Sequence, residues 1–247
     1  DTMGVNTSLI IKDPAHFTTL AFVSLMNDGE RDFYFNRGAD KELTIANLAA
    51  VHLNEYGIVH FGSATAFLPG PLQNTYIELL AKAKQAGCLI SFDPNYRHLL
   101  FQNNSASFIS QCGAFIERCN FFKLSDEEAF LITGCDTVAM AANALRKKTS
   151  AVFTITLGKE GTMLCIGDQI EIIKSIPIQP VDATGAGDAF VGAVLYQLNK
   201  RNLKDINLVS MEDWKTIISN ANKAGARTCE YMGAMEAFKH LNNSIFD

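Results

Sequence analysis

The sequence predicts an α/β fold, a three-layer αβα arrangement around a doubly wound and mostly parallel sheet, with a small β appendage. From Gly57 onward, short apolar runs alternate with longer helical stretches, as expected for a parallel sheet covered on both faces. Before that point, two runs rich in aromatic and branched residues flank Asn27-Asp28-Gly29, which is a strong hairpin signal. The chain has 247 residues, 48% of them hydrophobic, which is enough for one large core.

The appendage is predicted to be a hairpin of about residues 18–37. Its second strand ends in Phe-Tyr-Phe-Asn-Arg-Gly at residues 33–38, and this strand is apolar and wide enough to cover a neighbouring surface. The hairpin either packs on the core or covers a site. We therefore assign residues 1–40 to an N-terminal region and residues 41–247 to the αβα domain.

The αβα domain shows no repeat, no low-complexity tract and no linker. The predicted strands are 58–61, 89–92, 120–124, 152–157, 162–166 and 170–173, and the predicted helices are 71–86, 105–117, 126–132, 137–147, 186–199 and 213–229. Gly167-Asp168 predicts a hairpin between the last two strands.

Charge and composition exclude several classes of function. The net charge is -5 and the basic residues are scattered, so nucleic acid is not an expected partner. The six cysteines lack a C-x-x-C pair and the five histidines lack metal-ligand spacing, which favours buried free thiols in a reducing compartment. Without an apolar run of ~20 residues or a signal sequence, we expect a soluble, cytoplasmic protein with no membrane partner.

Chemistry is indicated at residues 181–190, Val-Asp-Ala-Thr-Gly-Ala-Gly-Asp-Ala-Phe, which lead into an apolar helix. Unpaired amides at a helix N-terminus bind anions, and Gly185 and Gly187 let a phosphate approach the backbone. Asp188 would repel that phosphate, unless it faces a hydroxyl nucleophile and accepts its proton during phosphoryl transfer. The alternative is that Asp188 only caps the helix and the glycines only turn the chain.

Other glycine-loop and hydrolase motifs are absent from the sequence. No Gly-Lys-Ser/Thr follows the loop as in a P-loop, and Phe190 occupies the third glycine position of a dinucleotide fingerprint. Neither His-Glu-x-x-His nor Gly-x-Ser-x-Gly occurs, so hydrolase interpretations have little support.

Residues 182–190 resemble the C-terminal signature of the ribokinase/PfkB sugar kinases. Further segments resemble the family in the same order along nearly the whole chain, namely residues 61–67, 92–97, 123–134, 156–161 and 221–226. Within the family, residues 33–40, 92–97 and 123–128 look most like bacterial and plant fructokinases. Ser125 departs from the family pattern, in which many relatives carry Asn.

The resemblance implies a ribokinase-like fold with a β lid. It also implies transfer of the γ-phosphoryl group of MgATP to a sugar hydroxyl, with the 6-hydroxyl of D-fructose as the expected acceptor. A 2-keto-3-deoxygluconate kinase, another sugar or nucleoside kinase of the PfkB type, and a catalytically silent regulatory family member stay open as alternatives. The resemblance implies that Asp188 is the base and that the amides of Gly185, Ala186 and Gly187 form the anion hole. It implies a sugar site formed by Arg37, Asp93, Asn95 and Arg97, and a nucleotide site formed by Thr156, Gly158, Gly161, Asn222 and Gly225. For cations, it implies that Glu128 holds Mg²⁺ through water and that Asp182 and Thr184 bind a monovalent cation such as K⁺.

Simpler interpretations of these residues stand beside the family roles. Ser125 and Glu128 have the spacing of a capping box. Asp-Pro-Asn at residues 93–95 fits a plain turn, Gly158 and Gly161 fit ordinary turn glycines, and Arg37 fits a solvated surface arginine.

The resemblance also concerns what surrounds this sequence. The lid of the family can pair two subunits, which makes a homodimer through the hairpin an expectation. Family members carry a further N-terminal segment with the opening strand, the other lid strands, an Asp that grips the sugar and a Gly-Gly-x-x-x-Asn stretch. We find none of these in the sequence, and we expect the 247 residues alone to phosphorylate fructose poorly or not at all.

Overall fold

The structure, a computed structural model, describes residues 4–25, 31–102, 104–201 and 205–246. It contains a separate two-stranded antiparallel sheet and a six-stranded sheet. The strands are β1 (Leu20–Leu25), β2 (Arg31–Asn36), β3 (Ile58–Gly62), β4 (Leu89–Asp93), β5 (Phe121–Ser125), β6 (Val152–Thr156), β7 (Thr162–Ile166) and β8 (Gln169–Ile173). In the large sheet, β3 to β8 follow chain order; β3 to β6 are parallel, and β7 and β8 are antiparallel to their neighbours.

Helices cover both faces of the large sheet. They are α1 (Pro71–Gln85), α2 (His98–Phe101), α3 (Ser105–Ile116), α4 (Asp126–Thr133), α5 (Val138–Arg146), α6 (Ala186–Lys200) and α7 (Met211–Thr228). Side chains alternate between the faces along each strand, so Phe92 and Phe122 belong to the core under α1, α3, α4 and α5. Leu89 and Phe121 belong to the second core, under α6 and α7. The predicted αβα fold is confirmed, and the short helix α2 is an addition to it.

The second core contains the one tryptophan of the sequence, Trp214 on α7. Its side chain is fully buried and its ring stacks on Phe121, with a centroid distance of 5.9 Å and an interplanar angle of 14°. Within the described residues its indole nitrogen has no hydrogen-bond partner. The contact therefore joins α7 to the sheet through apolar surface alone.

The hairpin of β1 and β2 is confirmed, with Phe22 opposite Tyr34. The predicted turn residues 27–29 lie outside the described residues. One face of the hairpin is exposed: Leu20, Phe22 and Tyr34 are 48%, 57% and 70% exposed. A two-stranded hairpin has little stability of its own.

Asp40 fastens the base of the hairpin to the large domain. Its carboxylate accepts hydrogen bonds from Thr19, which precedes β1, from Arg37 Nε after β2 at 3.3 Å, and from Thr65 Oγ1 at 2.6 Å. Thr65 follows β3, so one carboxylate connects both ends of the hairpin to the edge of the large sheet.

Two further predictions concern the cysteines and the membrane. All six cysteines are free thiols, as expected; Cys135 and Cys229 are half-buried and the other four are buried. Within the described ranges, no helix combines the length and the apolar character that crossing a bilayer requires.

Candidate active site

The glycine-rich loop turns directly into α6. Gly185 is the N-cap of this 15-residue helix, and its φ of 82° is a left-handed conformation that favours glycine. A Cβ on Gly185 would lie 3.1 Å from the backbone of Ala234, so a larger residue also lacks space there. Of the predicted anion-hole amides, that of Ala186 donates to the carbonyl of Ala183 at 3.2 Å. The amides of the following first-turn residues point out of the helix N-terminus, where an anion can accept their hydrogen bonds.

The loop is held in place by the segment that follows α7. Asp182 is buried, and its carboxylate accepts hydrogen bonds from the amides of Thr184 at 2.6 Å and Gly233 at 2.8 Å. The amides of Val181 and Asp182 both donate to the carbonyl of Cys229. These bonds fix the loop geometry, and the predicted cation role of Asp182 and Thr184 stays a prediction. No cluster of three or more acidic, His or Cys side chains able to hold a metal occurs in the described part of the chain.

Gly225 brings α7 close to the start of α6. A Cβ at this position would lie 3.0 Å from the carbonyl oxygen of Ala186 and 3.7 Å from Cβ of Phe190. The missing side chain thus sets the position of the first turn of α6. The predicted nucleotide contact of Gly225 remains a prediction.

Asn222 is occupied by bonds within the protein. Its side chain accepts a hydrogen bond from Thr162 Oγ1 at 2.6 Å and donates to the carbonyl of Ile173 at 2.9 Å. It therefore links α7 to β7 and β8, and a contact with the nucleotide stays a prediction.

The segment between β6 and β7 is a tight turn, as one interpretation of its glycines predicted. Gly158 and Gly161 have φ values of +55° and +105°, and the amide of Gly161 donates to the carbonyl of Gly158. A Cβ on Gly161 would overlap the backbone at the end of β8. Thr156, at the end of β6, donates to the carbonyl of Leu124 at 3.3 Å. The nucleotide roles of these residues are untested by the geometry.

Asp188 lies in the first turn of α6 with an exposed side chain. Within the described residues, its carboxylate has no hydrogen bond or ion pair. The carboxylates of Asp188 and Asp93 both interact electrostatically with the ammonium group of Lys123. An exposed carboxylate beside helix amides can accept the proton of a bound hydroxyl group.

Asp93 and Lys123 form a buried ion pair below the loop. Lys123 Nζ lies 3.4 Å from Oδ2 and 3.5 Å from Oδ1 of Asp93, and the Asp93 side chain is 1% exposed. Burial, together with the charges of Glu128 and Asp188, raises the pKa of Asp93 to about 6 although Lys123 opposes the shift. Burial disfavours the Lys123 ammonium, but the three carboxylates outweigh it and raise its pKa, so Lys123 is charged.

This pair bears on the predicted sugar contact of Asp93. In the structure the Asp93 carboxylate faces Lys123 and accepts a hydrogen bond from the amide of Asn95 at 3.3 Å. Sequence reasoning did not assign a role to Lys123. The sequence did carry a signal, because Lys123 lies inside a predicted strand of apolar residues. Buried lysines are rare unless they are paired, so a lysine at this position indicates a buried partner.

The loop after β4 presents Asn95 and Arg97 at the carboxyl edge of the sheet. Asn95 has a φ of 49°, a conformation in which asparagine is enriched among non-glycine residues. Arg97 donates to the side chain of Asn95 at 3.3 Å and to the carbonyl of Tyr96 at 3.1 Å. Ser63 joins this loop to the end of β3, because its amide donates to the carbonyl of Asp93 at 3.2 Å.

Glu128 fixes the same loop from the other side. Its Oε2 accepts the amide of Ser125 at 2.8 Å, while its own amide donates to Ser125 Oγ at 3.1 Å, which completes the predicted capping box. Its Oε1 accepts the amide of Tyr96 at 2.8 Å. Glu128 thus connects the start of α4 to the loop of the predicted sugar residues. The magnesium role remains a prediction.

Arg37 lies at the base of the hairpin, and the interpretation as a solvated surface arginine is wrong. Its side chain is 15% exposed, paired with Asp40, and donates to the carbonyl of Pro69 at 3.3 Å. Its Nη2 is buried without a partner among the described residues. Contact with a sugar stays a prediction.

The sequence of residues 1–241 matches the family described as pfkB family carbohydrate kinase. The chain belongs to this family. It is 33% identical to fructokinase-1 of Zea mays over 238 residues, which cover 94% of this chain and 71% of the relative. It is 30% identical to a fructokinase of Vibrio alginolyticus over 245 residues, with 96% and 75% covered.

The fold of this pfkB-family kinase is similar to that of solved fructokinases. The structure of fructokinase from Vibrio cholerae O395, in a form bound to fructose, ADP and calcium ion, matches with a TM-score of 0.79 at 26% identity. The match covers 95% of this chain and 73% of the other. The predicted membership, the ribokinase-like α/β fold and the identity of the protein as a sugar kinase are confirmed.

Glu128→Gln distinguishes the capping role of Glu128 from its predicted magnesium role in this pfkB-family kinase. Glutamine has one acceptor oxygen, so one of the two amides that Glu128 binds loses its partner. We expect the free energy of unfolding to fall by about 1–3 kcal/mol, and the magnesium requirement to rise. A thermal melt and a magnesium titration of activity measure the two effects, with Glu127→Gln on the exposed side of α4 as control. A lowered melting temperature with unchanged magnesium dependence would make Glu128 a cap only.

Proposed function

We propose that this sugar kinase transfers the γ-phosphoryl group of ATP to D-fructose and produces fructose 6-phosphate. The observation that carries the proposal is the exposed and unpaired carboxylate of Asp188 in the first turn of α6, next to amides that can hold an anion. Fructokinases at 30% and 33% identity over almost the whole chain support fructose as the acceptor.

In the proposed reaction, the 6-hydroxyl oxygen of the sugar forms a bond to the γ-phosphorus while the bond to the bridging oxygen of ADP breaks. Asp188 accepts the hydroxyl proton, and the first-turn amides of α6 bind the charge on the phosphoryl oxygens. Arg97 and Asn95, half-buried after β4, hold sugar or phosphoryl oxygens. Arg37 and Asp93 support the sugar site from the base of the hairpin and the floor of the loop.

The carboxylate chemistry of the site fits a magnesium ion that is held through water. Each Glu128 oxygen accepts one backbone amide and keeps a second lone pair for a water ligand. Mg²⁺ retains several waters in phosphoryl-transfer sites and neutralises charge on the phosphates. We further propose K⁺ near Asp182 and Thr184, and a nucleotide site lined by Thr156, Gly158, Gly161, Asn222 and Gly225.

The hairpin is the proposed contact with a second copy of the chain. Its exposed face carries Phe22 and Tyr34, whose ring centroids are 6.4 Å apart. Exposed aromatic clusters of this kind are typical of interaction surfaces.

A substrate panel tests the proposed acceptor. We expect kcat/KM for D-fructose to exceed that for ribose, 2-keto-3-deoxygluconate and nucleosides, measured by coupled detection of ADP. A preference for 2-keto-3-deoxygluconate would show that fructose is not the acceptor, while phosphoryl transfer to a sugar hydroxyl would stand. A lack of ADP formation with every acceptor would favour a regulatory family member.

A further inference from the structure

Lys123 carries a buried positive charge that the reaction described above does not use. It is the one lysine or arginine that is buried among the described residues, with 7% exposure. A buried ammonium persists only where negative charge and hydrogen-bond acceptors compensate for the lost water.

Nearby carboxylates compensate the charge of Lys123, but its hydrogen bonds within the described part of the protein are incomplete. An ammonium group has three hydrogen-bond donors. Among the described residues, its hydrogen-bond acceptor is the Asp93 carboxylate, at 3.4 and 3.5 Å. Charge-assisted N–H···O bonds are usually about 2.7–2.9 Å long. Lys123 therefore has donor capacity left over.

The ammonium lies against the first turn of α6. A Cβ on Gly187 would lie 3.2 Å from Lys123 Nζ and 3.8 Å from its Cε. The N-terminus of a helix carries partial positive charge, which repels an adjacent cation. The arrangement becomes favourable when an anion binds where the helix amides and the ammonium converge.

We propose that Lys123 is a catalytic residue that donates a hydrogen bond to the phosphoryl group in transit. This inference rests on the proposed phosphoryl transfer and adds the cation that balances it. Lys123 keeps its proton throughout: the oxygen–phosphorus bonds form and break as described above, and the hydroxyl proton passes to Asp188. The lysine also gives Gly187 a second reason to lack a side chain, since a Cβ there would displace the ammonium.

The test compares two ligands that differ in the γ-phosphoryl group. Binding of ADP and of an ATP analogue with a β,γ-imido bridge is measured calorimetrically with Mg²⁺ for the parent, for Lys123→Met and for the control Lys82→Met. Lys82 is a half-exposed residue on α1. We expect Lys123→Met to weaken analogue binding about 10- to 100-fold and ADP binding less than about threefold. Equal weakening of both ligands, or of neither, would overturn the proposal.

A second variant separates phosphoryl binding from charge balance inside the protein. Lys123→Met leaves Asp93 without its partner, whereas Asp93→Asn combined with Lys123→Met removes both charges and should recover thermal stability. We expect the double variant to remain deficient in analogue binding. If analogue binding also recovers, Lys123 serves only to balance Asp93, and the proposal is wrong.

Failure of the proposed function gives a different result. If Asp188 were not the base, Asp188→Asn would retain turnover. This result would not depend on how Lys123→Met binds the ATP analogue relative to ADP. The preference for the analogue over ADP is a binding property, and it is measured without turnover.

Discussion

Asp188→Asn is expected to reduce the turnover of fructose by about 10²–10⁴-fold, the range that general-base catalysis contributes. Asparagine preserves the shape of the side chain but cannot accept the hydroxyl proton. The Asp188 carboxylate has no protein partner within the described residues, so its replacement should leave the fold and the binding of ATP largely intact. Initial rates from a coupled assay and nucleotide titrations measure the two properties.

The matched control for this variant is Glu212→Gln. Glu212 is an exposed acidic residue in the first turn of α7, so its replacement also removes a negative charge from a helix N-terminus. The control should keep the parental rate. Turnover by Asp188→Asn within about threefold of an active parent, well short of the expected loss, would show that another group takes the proton.

Gly161→Ala is expected to lower the free energy of unfolding by more than about 3 kcal/mol. An added Cβ would overlap the carbonyl oxygen of Ile173 and lie 2.8 Å from the Ser175 amide nitrogen, so backbone rather than side chains must move. The φ of +105° adds strain for any residue with a Cβ.

Gly158→Ala in the same turn provides the comparison. Its φ is +55° and a Cβ would meet no atom within 4 Å, so the conformational cost of about 1–2 kcal/mol remains. Denaturant unfolding followed by circular dichroism gives both values. Similar losses for the two variants would mean that the backbone after β8 adapts easily and that close packing does not explain Gly161.

Much of the fold could be predicted from the sequence because the signals are local. The alternation of apolar strands with helices located β3 to β6, and Gly167-Asp168 located the hairpin of β7 and β8. The glycines before α6 likewise marked a helix N-terminus, because unpaired amides and missing side chains are properties of the segment itself. Helix α2 has only four residues, too few for a helical period to show.

The partners of the site residues could not be predicted, since they depend on which strands and loops become neighbours. Asp93 and Lys123 are 30 positions apart, and their contact requires the pairing of β4 with β5. The bond from Tyr96 to Glu128 spans 32 positions, which is why the capping box was visible in the sequence and the connection to the loop was not. The alternative of a solvated surface arginine at residue 37 was wrong for the same reason, because the acceptor of Arg37, Pro69, follows β3.

The single tryptophan gives the protein an optical reporter of one structural event. Trp214 on α7 is buried and stacks on Phe121 of the sheet. Its fluorescence emission will therefore shift to longer wavelength when this helix leaves the sheet and water reaches the indole. Gly225 lies on the same helix and sets the position of the first turn of α6. A change in emission at low denaturant, before the circular dichroism signal is lost, would therefore reveal that α7 has left the sheet and no longer positions the glycine-rich loop before α6.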